Sequence, residues 1–113
     1  MTKANVARGE VDLSLEGIDY VLDGSFEGMA RLQGALNVVG LAPAVQMIVG
    51  MDPRALMEGV KALAISGDVT KLARMNFGRH AATVQAALVK TLEGINGDDK
   101  PGNAGGAATP SPS

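Results

Sequence analysis

The chain has 113 residues, with 10 basic and 12 acidic side chains for a formal net charge of −2, one histidine and no cysteine. That length suits one domain, and the body left after its polar ends, roughly 90 residues, buries only a modest core. Without cysteine there is no disulfide frame, thiolate metal site or Cys nucleophile, and the charge balance argues against a global attraction to nucleic acid.

Residues 1–8 are small and polar and are expected to fray. From Glu10 to Asp23 the pattern has the period of two that marks half-buried strands. Val11, Leu13 and Leu15 alternate with polar residues, and Glu16-Gly17 supplies a two-residue turn. Gly17 suits the positive φ of a type I′ turn, whereas Glu16 is not a favoured choice for the first position. Such a loop pairs Leu15 with Ile18, Leu13 with Tyr20 and Val11 with Leu22, placing all six on one face.

Ser25 is the expected N-cap of a first helix over about 26–38, with Phe26, Met29, Leu32, Leu36 and Val39 as its apolar stripe. Gly28 and Gly34 weaken that helix by up to ~1 kcal/mol each relative to Ala, and close approach of another backbone is one reason to keep them. Gly40 ends it. A short second helix is expected over 43–50, with Leu41, Val45, Ile48 and Val49 inward. Asp52-Pro53 opens a third, over 53–65, carrying Leu56, Val60, Leu63 and Ala64 on one side. Asp68 to Met75 suits a further helical turn. The last helix, over 79–95, presents Val84, Leu88, Leu92 and Ile95, with Ala81 and Ala87 beside them. Residues 97–113 hold no large apolar side chain and read as a disordered Gly/Ala/Pro/Ser tail. The expectation is α+β: an N-terminal two-stranded antiparallel hairpin and a small bundle of three to four short helices in one domain over 9–96.

The hairpin and the helix after it resemble a known family. The matching pieces are Arg8-Gly9-Glu10-Val11, Leu15-Glu16-Gly17 and Tyr20-Val21-Leu22, then Phe26 with Met29, Leu32 and Leu36. They are similar to the family named after the tenth gene product of the gene transfer agent, which belongs to the phage tail assembly chaperones and has also been labelled a tail tube protein. The likeness is clearest over about the first 40 residues and looser to about residue 95. Gln33 departs from it, since family members tend to be acidic there.

Little in the sequence points to bond-making chemistry. His80 is the single histidine, too few for a metal site of three or four convergent ligands. Glu10, Asp12, Glu16 and Asp19 fall on the hairpin's polar face or turn rather than in a shared pocket. Gly24 to Gly28 lacks a phosphate-binding pattern, and Ser14, Ser25 and Ser66 have no nucleophile-elbow context. Lys71, Arg74 and Arg79 form a small basic patch with only Phe77 nearby for stacking. No cofactor, metal, nucleic acid or membrane is expected; the first residues do not read as a signal peptide, and no run approaches the ~18 apolar residues of a membrane span.

What remains is contact with other proteins. A two-stranded hairpin is not stable alone, and a Met-containing helical face suits either self-assembly or capture of a hydrophobic helix. The resemblance implies the partners: the tape measure protein, whose helices a chaperone of this family is thought to coat, and the tail tube protein brought onto it. It further implies a non-enzymatic role in phage or prophage tail assembly, in the cytoplasm of the bacterial host, and absence from the mature virion. Met47, Met51 and Met57, near the junction of the second and third helices, are the candidate partner-binding residues, and a homo-oligomer is a further option. The alternatives are a tail tube or connector subunit retained in the particle and a small nucleic-acid-binding regulator.

Overall fold

The computed structural model describes residues 9–96. The frayed N-terminus and disordered tail expected from the sequence lie outside these residues. The elements in order are β1 (Glu10–Leu15), β2 (Ile18–Asp23), α1 (Phe26–Leu36), α2 (Leu41–Val49), α3 (Pro53–Leu63), β3 (Ala64–Ser66), a 3-10 helix (Val69–Arg74) and α4 (Phe77–Asn96). This is the expected α+β architecture, with a third strand added.

The hairpin has the register that its pattern predicts: Leu15 opposite Ile18, Leu13 opposite Tyr20 and Val11 opposite Leu22. Glu16 and Gly17 both take positive φ, 51° and 80°, the signature of a type I′ turn. Leu13, Leu15, Tyr20 and Leu22 are buried, with Val11 and Ile18 packed at the margin. This face rests on α3 and α4. Val21, on the opposite face, is buried as well.

The third strand corrects the expected span of α3. The helix stops at Leu63, and Ala64–Ser66 turns to pair antiparallel with β2, giving the sheet order β1-β2-β3. Ala64 therefore belongs to a strand and not to the helix's apolar side. Gly67, at φ 101°, then brings the chain over the Tyr20 ring; a Cβ there would come within 2.5 Å of it. The Tyr20 hydroxyl donates to the Asp68 carbonyl at 2.7 Å, so the sheet's one buried phenol is satisfied by the segment that covers it.

Ser25 caps α1 as expected: its Oγ accepts from the Gly28 N–H at 3.1 Å. Asn37, in the left-handed conformation, ends the helix at Leu36, two residues before the expected end. Met29, Leu32 and Leu36 are buried, but two members of the expected stripe are not. Phe26 is 97% exposed and Val39 92% exposed. Phe26 sits in the first turn, ahead of the first buried position of α1, and Val39 lies beyond the cap. Gly28 shows the close approach that would explain a helical glycine, since its Cβ would lie 2.2 Å from the Asp23 carbonyl oxygen; Gly34 faces open space.

α2 begins two residues early, at Leu41, and meets α1 at 68°. Ala44 and Ile48 are its buried residues, whereas Val49, expected inward, is more than half exposed. Its last carbonyls are closed from outside: Gln85 Nε2 of α4 donates to the Ile48 and Val49 oxygens at 3.2 and 2.9 Å. Asp52 caps α3 by accepting from the Arg54 and Ala55 N–H groups. α4 starts at Phe77, two residues earlier than expected, because Asn76 Oδ1 accepts from the Arg79 N–H at 2.9 Å. Ala81, Val84, Ala87, Leu88 and Leu92 line its buried face. Among the described residues no single helix is long and apolar enough to cross a membrane.

Candidate functional site

The start of α4, the 3-10 helix and the first half of α3 do not close completely on one another. Between them lies a groove of about 360 Å³. Its base is core: Leu15 of β1, Leu56 and Val60 of α3, and Ala81 and Val84 of α4. Above that, Met57, Leu72, Met75 and His80 are half-buried, each with part of its side chain turned to the open space. Phe77 stands at the rim, 48% exposed, with Arg54 also lining the opening. Phe77 is there because Asn76 starts α4 one residue before it. Short 3-10 geometry next to that start leaves Leu72 and Met75 only partly covered.

Polar side chains are few in this lining: Arg54, Asn76 and His80. His80 Nε2 lies 2.7 Å from Glu16 Oε2, which ties the hairpin turn to the first turns of α4. The His80 side chain is 16% exposed and that of Glu16 47%. Glu16 thus occupies a left-handed position ill-suited to it while its carboxylate reaches the one histidine. The pair has no third member: among the described residues no three His, Asp or Glu side chains converge as metal ligands. Two carboxylates of the hairpin have partners of their own. Asp19 accepts from the Ser14 hydroxyl across the strands, and Asp23 is engaged at the start of α1.

That start is a small polar relay. The Gly28 N–H donates to Ser25 Oγ, which donates to Asp23 Oδ2 at 2.9 Å; the Ser25 N–H donates to Oδ1. Arg31 approaches Oδ2 at 3.4 Å and donates through Nε to the Ala62 carbonyl at 2.8 Å. Partial burial works to raise the Asp23 pKa, but the bonds from Ser25 and the Arg31 charge outweigh it and hold the carboxyl below its ordinary value. This relay joins β2, α1 and α3; it lies apart from the groove and serves the fold.

The three methionines expected to touch a partner separate in the structure. Met57 lines the groove. Met47 and Met51 do not; both are half-buried and pack against the core around the α2–α3 corner, where Met51 takes φ 63°. Sequence spacing put them together because they flank one junction, but of the three only Met57 stands on a helix that lines the groove. Leu72 and Met75 are groove residues that sequence reasoning does not single out, and Phe77 enters it only as a stacking residue beside the basic patch. A signal for them exists: three large apolar side chains interleaved with Lys71, Arg74 and Arg79 in a segment too short to bury them.

Comparison with protein-family models finds no match for this chain, and neither curated proteins nor solved structures supply one.

Proposed function

We propose that this chain is a non-enzymatic tail assembly chaperone that holds an apolar helical stripe of the tape measure protein in the groove between α3, the 3-10 helix and α4, and helps bring tail tube subunits to it. The observation that carries this reading is the groove itself. It is open and apolar, and it is floored by core residues and flanked by two methionines, Met57 and Met75, whose unbranched side chains adapt to varied partners. Its volume lies at the lower end of the roughly 300–1,000 Å³ of small binding sites, room for a few anchoring side chains rather than a whole helix. An amphipathic helix laid across it would place anchors at i, i+3 or i+4 and i+7. The identity of the partner rests on the resemblance of the hairpin and first helix to the tail assembly chaperones.

Co-expression with a phage tape measure protein tests the proposal. The expected result is a soluble complex, lost with Phe77→Glu, and no copies of the chain in purified particles. A second reading, a tube or connector subunit, draws on Phe26 and Val39, two apolar side chains exposed away from the groove. Many copies in purified particles, with no soluble complex, would favour it.

A further inference from the structure

Charge is spread unevenly along this chain. Among the described residues six carboxylates, from Glu10 to Glu27, precede the first cation, Arg31. Between Asp68 and Glu93 the order reverses: no acidic residue occurs, and Lys71, Arg74, Arg79 and Lys90 do. One wall of the groove is built from that basic stretch. Arg54 lines it from α3, while Arg74 and Arg79 are not among the lining residues but adjoin three that are, Ala73, Met75 and His80. These three guanidinium groups belong to exposed residues. Among the described residues none of them makes an ion pair or a side-chain hydrogen bond.

The nearby acids are already engaged. Glu16 meets His80, Glu58 meets Lys61, Asp52 accepts from the start of α3, and Asp68 accepts from Thr70. The apolar opening therefore has Arg54 in its lining and Arg74 and Arg79 close by in the chain, and among the described residues no acid pairs with them.

We infer that the helix this groove takes is acidic: an amphipathic segment whose apolar stripe is flanked on both sides by Asp or Glu, drawn to Arg54 at the opening and to the exposed Arg74 and Arg79 next to the lining residues of the 3-10 helix and α4. This rests on the reading of the groove as a helix-binding site. Rim charges of this kind set partner choice and association rate more than they add affinity, because they remain solvated and screened. An apolar stripe with basic flanks would meet like charge on both sides and be rejected.

The test uses the full chain and three labelled helical peptides with one shared Leu/Ile stripe, flanked by Glu, Gln or Lys, with binding read by fluorescence anisotropy at about 50 and 500 mM salt. The Glu-flanked peptide is expected to bind roughly tenfold tighter than the Gln-flanked one at low salt, and the Lys-flanked one weakest, with the spread shrinking at high salt. In Arg74→Glu/Arg79→Glu, whose positions are exposed, the order should reverse. Equal binding of all three would overturn the acidic preference and leave the groove reading standing. No binding of any peptide would overturn both. Sedimentation showing a concentration-dependent dimer, abolished by Phe77→Glu, would make a second copy of this chain the occupant and overturn the proposal.

Discussion

Glu16 is the residue whose conformation is hardest to explain by the turn alone. A left-handed, non-glycine position costs about 1–2 kcal/mol, and Asn or Gly would fill it at less cost. Its partly exposed contact with His80 returns only about 0.2–1 kcal/mol. Glu16→Asn is therefore expected to leave stability unchanged or to raise it by up to ~1 kcal/mol in urea denaturation, while freeing the His80 side chain at the groove's end. Glu16→Gln, which keeps the conformation and loses the charge, should be slightly destabilising. The two helical glycines of α1 part company in the same way. Gly28→Ala would drive a methyl into the Asp23 carbonyl and is expected to cost about 2 kcal/mol or more, whereas Gly34→Ala meets nothing and should gain about 0.5–1 kcal/mol. Thermal melts of the pair check both signs. Asp23 supplies a pH dependence. Its pKa is lower in the folded chain than its ordinary 3.8, so folding favours the ionised form. The stabilisation is full above about pH 5, and it falls away as the pH drops through the folded value. Asp23→Asn should lose about 1–2 kcal/mol at neutral pH and show a shallower decline below pH 4 in acid titrations monitored by circular dichroism.

At the scale of elements, local chemistry decides what is legible in the sequence. The hairpin register, the Ser25 and Asp52 caps and the buried faces of α3 and α4 obey rules that act within a few residues, and they can be read directly. β3 cannot. Ala64-Ile65-Ser66 continues the helical spacing of α3, and only its pairing with β2, more than 40 residues earlier, makes it a strand. The exposure of Phe26 and Val39 is hidden for a related reason: periodicity says which residues share a face, not how far along the helix its neighbour extends. Asn76 is legible, since an Asn three residues before Arg79 is a good cap, although the apolar pattern alone starts the helix later. Removing it tests whether that cap places the rim. Asn76→Ala should destabilise by about 1 kcal/mol and fray the first turn of α4, visible as faster amide exchange at Phe77 to His80.

Across the whole molecule the acidic hairpin and the basic start of α4 are held side by side through Glu16 and His80, and the groove opens at that end. Here the sequence is least informative. Residue type identifies Met57, but Met47 and Met51 come with it, because a groove is a property of three packed elements and leaves no periodic trace. Leu72, Met75 and Phe77 become a surface only once the 3-10 helix fails to cover them. If this surface receives a helix, methionine methyl groups report on it directly. The measurement is a methyl NMR titration of the full chain, labelled at its methionines, with a helical segment of a phage tape measure protein. Shifts are expected at Met57 and Met75, with Met47 and Met51 unmoved. Shifts at Met47 and Met51, with Met57 and Met75 unmoved, would contradict it.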